Sequence, residues 1–288
     1  MTAWQTLAPL ARDLGGGFTV RRLLPQADRR AVGPFVFFDH FGPIAVEPGA
    51  HHDVRPHPHI GLATLTYLFE GAIMHRDSTG VVQRIEPGAV NLMTAGRGIA
   101  HSERTPDVQR KQGQKMLGLQ SWIALPAGSE EIAPSFQHYA AGDLPMISEH
   151  GFTARVIAGT SFGIASPVAM VSPWFYTEVT AEADVSVPLD PDHEERAIYL
   201  VDGEVEIAGD RYEGPRLLIF RPGDRITVKT ILPTRMMFLG GDALEGPRHI
   251  WWNFVSSSKE RIEQAKQDWK TGRFAHVPNE QEFIPLPE

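Results

Sequence analysis

The sequence predicts an all-β protein: two antiparallel β-barrels of the jelly-roll kind, followed by a short C-terminal helix. Three observations predict it. Runs rich in β-branched and aromatic residues, such as Leu62 to Phe69 and Gly118 to Pro126, are separated by turn signals at short intervals. The 27 Gly and 23 Pro among 288 residues suit a chain of many turns better than a helical one. The second half also echoes the first: Tyr199-Leu200-Val201-Asp202-Gly203 repeats the pattern of Tyr67-Leu68-Phe69-Glu70-Gly71.

In chain order, Phe18 to Leu24 reads as a first strand, closed by Pro25, and Val36 to His40 as an apolar second. Asp39 and His40 are expected to cap or brace it. His51 and His52 fall in a loop after Pro48-Gly49. Leu62 to Phe69 is a strand ended by Glu70-Gly71. Ala72 to Arg76 returns toward the hairpin signal Asp77-Ser78-Thr79-Gly80. His75, near that turn, is expected to be structural or to support a metal ligand from behind, not to be a ligand itself. Val90 to Met93 is a short strand, and Thr94-Ala95-Gly96-Arg97-Gly98 bends the chain toward His101. Residues 126–150 are read as a linker, because Pro, Gly, Ala and acids crowd there. The expected domains are 1–130 and 131–288. Near the end, Ser257 and Glu260 form a capping box, and Ile262, Ala265 and Trp269 mark an apolar stripe. A helix over 257–270 follows, and Trp251-Trp252 is assigned to core packing.

Composition excludes several classes. With no Cys there are no disulfides, thiolate ligands or thiol nucleophile. The net charge of −8 and the absence of any basic run longer than a dipeptide argue against direct nucleic-acid binding. No apolar run is long enough to span a bilayer, and Gln5, Arg12 and Asp13 interrupt any signal-like core. A cytoplasmic monomer is the expectation.

The chemistry sits between His57 and Glu103. His57-Pro58-His59 and His101-Ser102-Glu103 are both spaced i, i+2, so on a strand each pair projects from one face. Facing each other inside a barrel, three imidazoles and one carboxylate would converge, a mixed set suited to a divalent transition metal. In the second half, the spacing of the Tyr199 and Tyr67 words puts Leu189 and Pro191 in place of His57 and His59, and matching Pro222-Gly223 to Pro87-Gly88 puts Met236 and Phe238 in place of His101 and Glu103. That barrel is expected to bind no metal. His193 and Glu194 are adjacent there and point to opposite faces of a strand.

The words His57-Pro58-His59-Ile60-Gly61, His75-Arg76-Asp77-Ser78 and Thr94 to Glu103 resemble the pirin family of the cupin superfamily. Val32 to Pro43 and Arg248 to Phe254 are similar to its end segments. The resemblance implies a bicupin with one metal, most often iron(II), in the N-terminal barrel, held by His57, His59, His101 and Glu103. Ligand types alone leave manganese, nickel, copper and zinc open. Where many cupins carry Glu after the second His, this chain has Ala63, and Ile60 stands where animal pirin has Arg. A carboxylate from these motifs must therefore be Glu103. The implied activity is that of a quercetin 2,3-dioxygenase on a flavonol, with Glu103 as general base. The rival reading is a non-enzymatic, iron-dependent regulator or transcriptional co-factor that binds a protein partner.

Overall fold

The computed structural model describes residues 4–13, 19–50 and 52–287. Phe18, at the head of the expected first strand, and His51 lie outside them. The chain folds as two compact units that interleave in sequence. One gathers residues up to 11, 21–37 and 142–244, and the other 12–20, 38–141 and 245–288. The crossover at 141/142 falls in the Pro- and Gly-rich stretch.

The unit that holds the histidine motifs contains a four-stranded antiparallel sheet in the order Val54–His59, Ile99–Arg104, Ile73–Asp77, Val82–Ile85. Facing it, Leu62–Glu70 lies within a seven-stranded sheet. Its order is Ser135–Tyr139, Val90–Thr94, Leu62–Glu70, Gln114–Ala124, Phe35–Val46, Thr19–Leu24, Leu10–Asp13. Alternation sets the inner face of that sheet, since successive strand residues point to opposite sides. Residues 126–150 are not a bare linker. Ser135–Tyr139 adds an edge to this sheet, and Met146–Glu149 pairs with Phe152–Ala158 in the other unit.

The other unit repeats the plan strand for strand. Its small sheet runs Ser186–Leu189, Ile226–Thr230, Glu204–Ile207, Asp210–Glu213. Its seven-stranded sheet runs Gln5–Leu7, Arg216–Phe220, Glu195–Asp202, Thr234–Gly241, Trp174–Ala181, Phe152–Ala158, Met146–Glu149. The match of the two small sheets corrects the residue-level alignment. His57 faces His101 and His59 faces Ile99 in one, while Val187 faces Val228 and Leu189 faces Ile226 in the other. The counterparts of His57, His59 and His101 are therefore Val187, Leu189 and Val228, all in one apolar core. Met236 and Phe238 share that core but belong to Thr234–Gly241, the counterpart of Gln114–Ala124. Aligning on the Pro-Gly turns slipped by one strand.

The helix spans Lys259–Lys270. Its cap is Ser258, one residue later than expected: the Ser258 hydroxyl accepts from the Arg261 N–H at 3.2 Å. Ser257 is otherwise engaged, donating its N–H to Glu130 at 2.8 Å. Ile262 and Ala265 bury against Ile60 and Phe254, with Trp251, Trp252 and Trp269 around them. This C-terminal packing reaches the histidine strand through Gly61. Its φ of +66° is left-handed, and an added Cβ would overlap the Val255 carbonyl. No helix among the described residues is long and apolar enough to cross a membrane.

Candidate metal centre

The strand Val54–His59 buries His57 and His59, and its neighbour Ile99–Arg104 buries His101. Because His57 sits directly opposite His101, the three rings gather at one end of the small sheet. Their centroids lie 4.3 to 5.1 Å apart. One ligand atom from each lies within 4.8 Å of the other two.

The donor set fits a metal ion. The Nε2 atoms of His59 and His101 stand 3.1 Å apart. Two nitrogens held cis at about 2.1 Å from one ion would stand about 3 Å apart, so no rearrangement of this pair is required. The third ring is oriented by its outer nitrogen: Nδ1 of His57 lies 2.9 Å from the Arg55 carbonyl and donates to it, leaving Nε2 bare. Nδ1 of His59 is buried and closes no hydrogen bond, although the Asn253 carbonyl is near enough to raise its proton affinity. That nitrogen is free to take up the ring proton when Nε2 becomes a ligand.

Burial sets the charge state. It lowers the pKa of His57 to about 4, against the opposing hydrogen bond to Arg55, and the nearby His75 adds to the depression. His59 and His101 are pushed well below the usual imidazole range, first by burial and then by their neighbouring rings. All three are therefore neutral at pH 7, the form that binds metal.

Glu103 is not part of the three-imidazole group. It lies two residues beyond His101 on the same strand face, opposite His75 on one side. On the other side a bulge in Val54–His59 brings Val54 opposite it in place of Arg55. Protein atoms crowd Glu103, yet it keeps partial solvent access. Burial raises its pKa, and the neighbouring His75 opposes that rise. The result is a carboxylate beside the imidazoles that solvent can reach and that holds a proton more readily than an ordinary Glu.

Behind the site, the sequence reading left His75 as either a structural residue or a support for a ligand, and did not single out Asp77. His75 places Nδ1 3.4 Å from Nδ1 of His101. Its Nε2 lies 3.0 Å from Asp77 Oδ2. The available signal was a third i, i+2 pair, His75-Arg76-Asp77, on the strand beside Ile99–Arg104. Asp39 and His40 are buried within Phe35–Val46 and lie outside the imidazole group. His52 packs in its loop, its N–H 3.3 Å from the Thr105 hydroxyl. In the other unit His193 stacks on Phe175, and Glu194 accepts the Ala243 N–H.

The sheet opposite supplies the walls. Trp122 meets His59 edge-on at 5.4 Å, and Phe136 stacks on His75 at 4.5 Å. One rung further along, Thr66 donates to Gln120 at 2.8 Å, and His138 lies 2.7 Å from Asn91 Oδ1. The matching interior of the other unit is built around an apolar cluster that includes Ile198, Leu200, Leu218 and Phe238, with Thr230 at the position of Glu103.

A patch of opposite charges holds the outer face of Ile99–Arg104. Ser102 and Arg104, which alternate with His101 and Glu103, donate to Glu280 at 2.9 and 2.5 Å. Ile284 adds a backbone bond to the Pro56 carbonyl at 2.8 Å. The C-terminal tail thus straps the back of both histidine strands.

Comparison with known proteins agrees with this architecture. Residues 17–123 match the pirin family, and residues 176–275 match the pirin C-terminal cupin domain. A pirin-like protein of Caulobacter vibrioides is 50% identical, with 96% of each chain covered. The pirin of Homo sapiens is 32% identical over 93% of this chain and 92% of its own. A crystal structure described as quercetin 2,3-dioxygenase from Acinetobacter baumannii superposes with a TM-score of 0.90. It is 33% identical and covers 99% of this chain and 95% of its own. With two cupin barrels, a C-terminal helix and relatives matched over nearly their full length, the chain belongs to the pirin family.

Proposed function

We propose that this protein is a metal-dependent oxygenase of the quercetin 2,3-dioxygenase type, acting on a flavonol. In this reading His57, His59, His101 and Glu103 hold one iron(II). The observation that carries it is the buried cluster of three imidazoles beside a carboxylate that solvent can reach. The similarity to the Acinetobacter protein supports the substrate class. When bound, the ion supplies Lewis acidity toward the flavonol 3-hydroxyl and redox chemistry with dioxygen.

The chain's own residues do the rest. Glu103 takes the 3-hydroxyl proton on its carboxylate. Ala63 offers no alternative carboxylate at the motif position. Trp122 and Phe136 present ring faces and edges to a flat aromatic substrate, and Asn91, Thr66 and Gln120 offer polar groups to its hydroxyls. The test is oxygen uptake by anaerobically reconstituted protein, with and without quercetin. Flavonol-dependent uptake supports the enzyme. A loaded protein with no uptake for any first-row metal points instead to a metal-dependent binder of a protein partner.

A further inference from the structure

Behind His101 stands a buried series of polar groups that the proposed reaction does not use. Asp77 is fully buried. Its Oδ1 accepts from the Thr79 N–H at 2.8 Å, the Thr79 hydroxyl at 2.6 Å and the Val81 N–H at 3.3 Å. Its Oδ2 faces Nε2 of His75 at 3.0 Å. A carboxylate only accepts, so the proton between them belongs to His75 Nε2. The stack of His75 on Phe136, with 22° between the ring planes, keeps the imidazole from turning away. With its proton on Nε2, neutral His75 has a bare Nδ1, 3.4 Å from Nδ1 of His101. His101 must then donate from Nδ1, and its Nε2 is bare toward His59.

We propose that Asp77 and His75 are positioning residues that fix the tautomer of His101 and so present its Nε2 lone pair to the metal. The proposal rests on the reading of the three imidazoles as metal ligands. The other unit supplies a comparison inside the same chain. Its Glu204–Ile207 is the counterpart of Ile73–Asp77. There Val205 pairs with Thr230 as His75 pairs with Glu103. Continuing the register sets Ile207 against Val228, as Asp77 stands against His101. Where the three ligands are replaced by apolar residues, the pair behind them is replaced as well, by Val205 and Ile207.

The experiment uses the full-length, metal-free protein and nickel(II) as probe. Nitrogen-15 spectra of the histidine rings report the tautomers, and chelator competition reports nickel affinity. The parent should show His101 protonated on Nδ1. In Asp77→Asn the amide oxygen stays with Thr79 and Val81, which places an N–H donor against His75 Nε2. The His75 proton then moves to Nδ1, and that of His101 moves to Nε2. Nickel affinity should fall about 10- to 100-fold, the usual effect of losing an outer partner of a ligand. His75→Leu should lose as much, whereas His75→Gln, whose side-chain oxygen can accept from His101, should recover most of the affinity. A merely structural role would change the melting temperature of all three variants and leave the His101 tautomer alone. A parent His101 protonated on Nε2, or Asp77→Asn binding nickel like the parent, overturns the proposal. If Asp77→Asn does not fold, the parent spectrum and the two His75 variants decide. A parent that binds no nickel overturns the metal reading instead, and the tautomer spectrum still decides this one.

Discussion

Acid should destabilise the metal-free protein through its imidazoles, and His57 allows the size of the effect to be worked out. In the unfolded chain His57 takes a proton near pH 6.5, and in the fold near pH 4. Between those values the unfolded state binds more protons, so stability falls as pH falls, and the loss levels off below about pH 4. The difference in pKa corresponds to about 3 kcal/mol from this one group. His59 and His101 act in the same direction. The assay is urea unfolding of metal-free protein at steps from pH 7 to pH 4, beside His57→Gln, which cannot titrate. The parent should lose about 3 kcal/mol more than the variant across that range. Coincident pH dependences would show that His57 is not buried in its neutral form, and the reasoning about the whole cluster would fail with it.

Three further outcomes follow. Bound nickel should survive acidification well past the ordinary imidazole range, because protons compete for buried rings only toward about pH 4; half-release near pH 6.5 by elemental analysis would contradict the depressed pKa values. Glu103→Gln keeps the shape of the side chain but not its basicity. Quercetin turnover per bound metal should drop about 100-fold or more, and a parental rate would remove Glu103 as the base. Glu280→Ala takes one carboxylate from Ser102 and Arg104, leaving Arg104 with Asp53 and Glu282, at a cost of about 1–3 kcal/mol. Hydrogen exchange along 276–287 should then quicken, and unchanged protection would show that the strap does not depend on this contact.

Much of the site could be read from periodicity, and the reasons are local. His57, His59 and His101 alternate along strands whose turn signals are strong, so their common face needed no knowledge of the partner strand. Glu103 shared that face, but the bulge opposite it, which depends on strand pairing, could not be read. His75-Arg76-Asp77 carried the same alternation, but Asp77 read only as part of a hairpin signal and His75 kept two possible roles; only the pairing of their strand with Ile99–Arg104 shows what they face. Apolar residues at the matching positions of the second barrel were expected from the wrong strand, since Pro87-Gly88 precedes Val90–Thr94 whereas Pro222-Gly223 follows its counterpart Arg216–Phe220. Val187, Leu189 and Val228 emerge only from the sheet order. The strap from Glu280 to Arg104 joins residues far apart in sequence, and composition holds no trace of such a pair.

The most direct test of the central claim is anaerobic loading of the full chain with iron(II), followed by elemental analysis and oxygen uptake on adding quercetin. The account predicts one iron per chain, lost when His57→Ala and His101→Ala are combined, and oxygen consumption that depends on the flavonol. Two irons per chain, or full loading of the double variant, would contradict the assignment of the site. One iron per chain with no flavonol-dependent uptake would contradict the oxygenase.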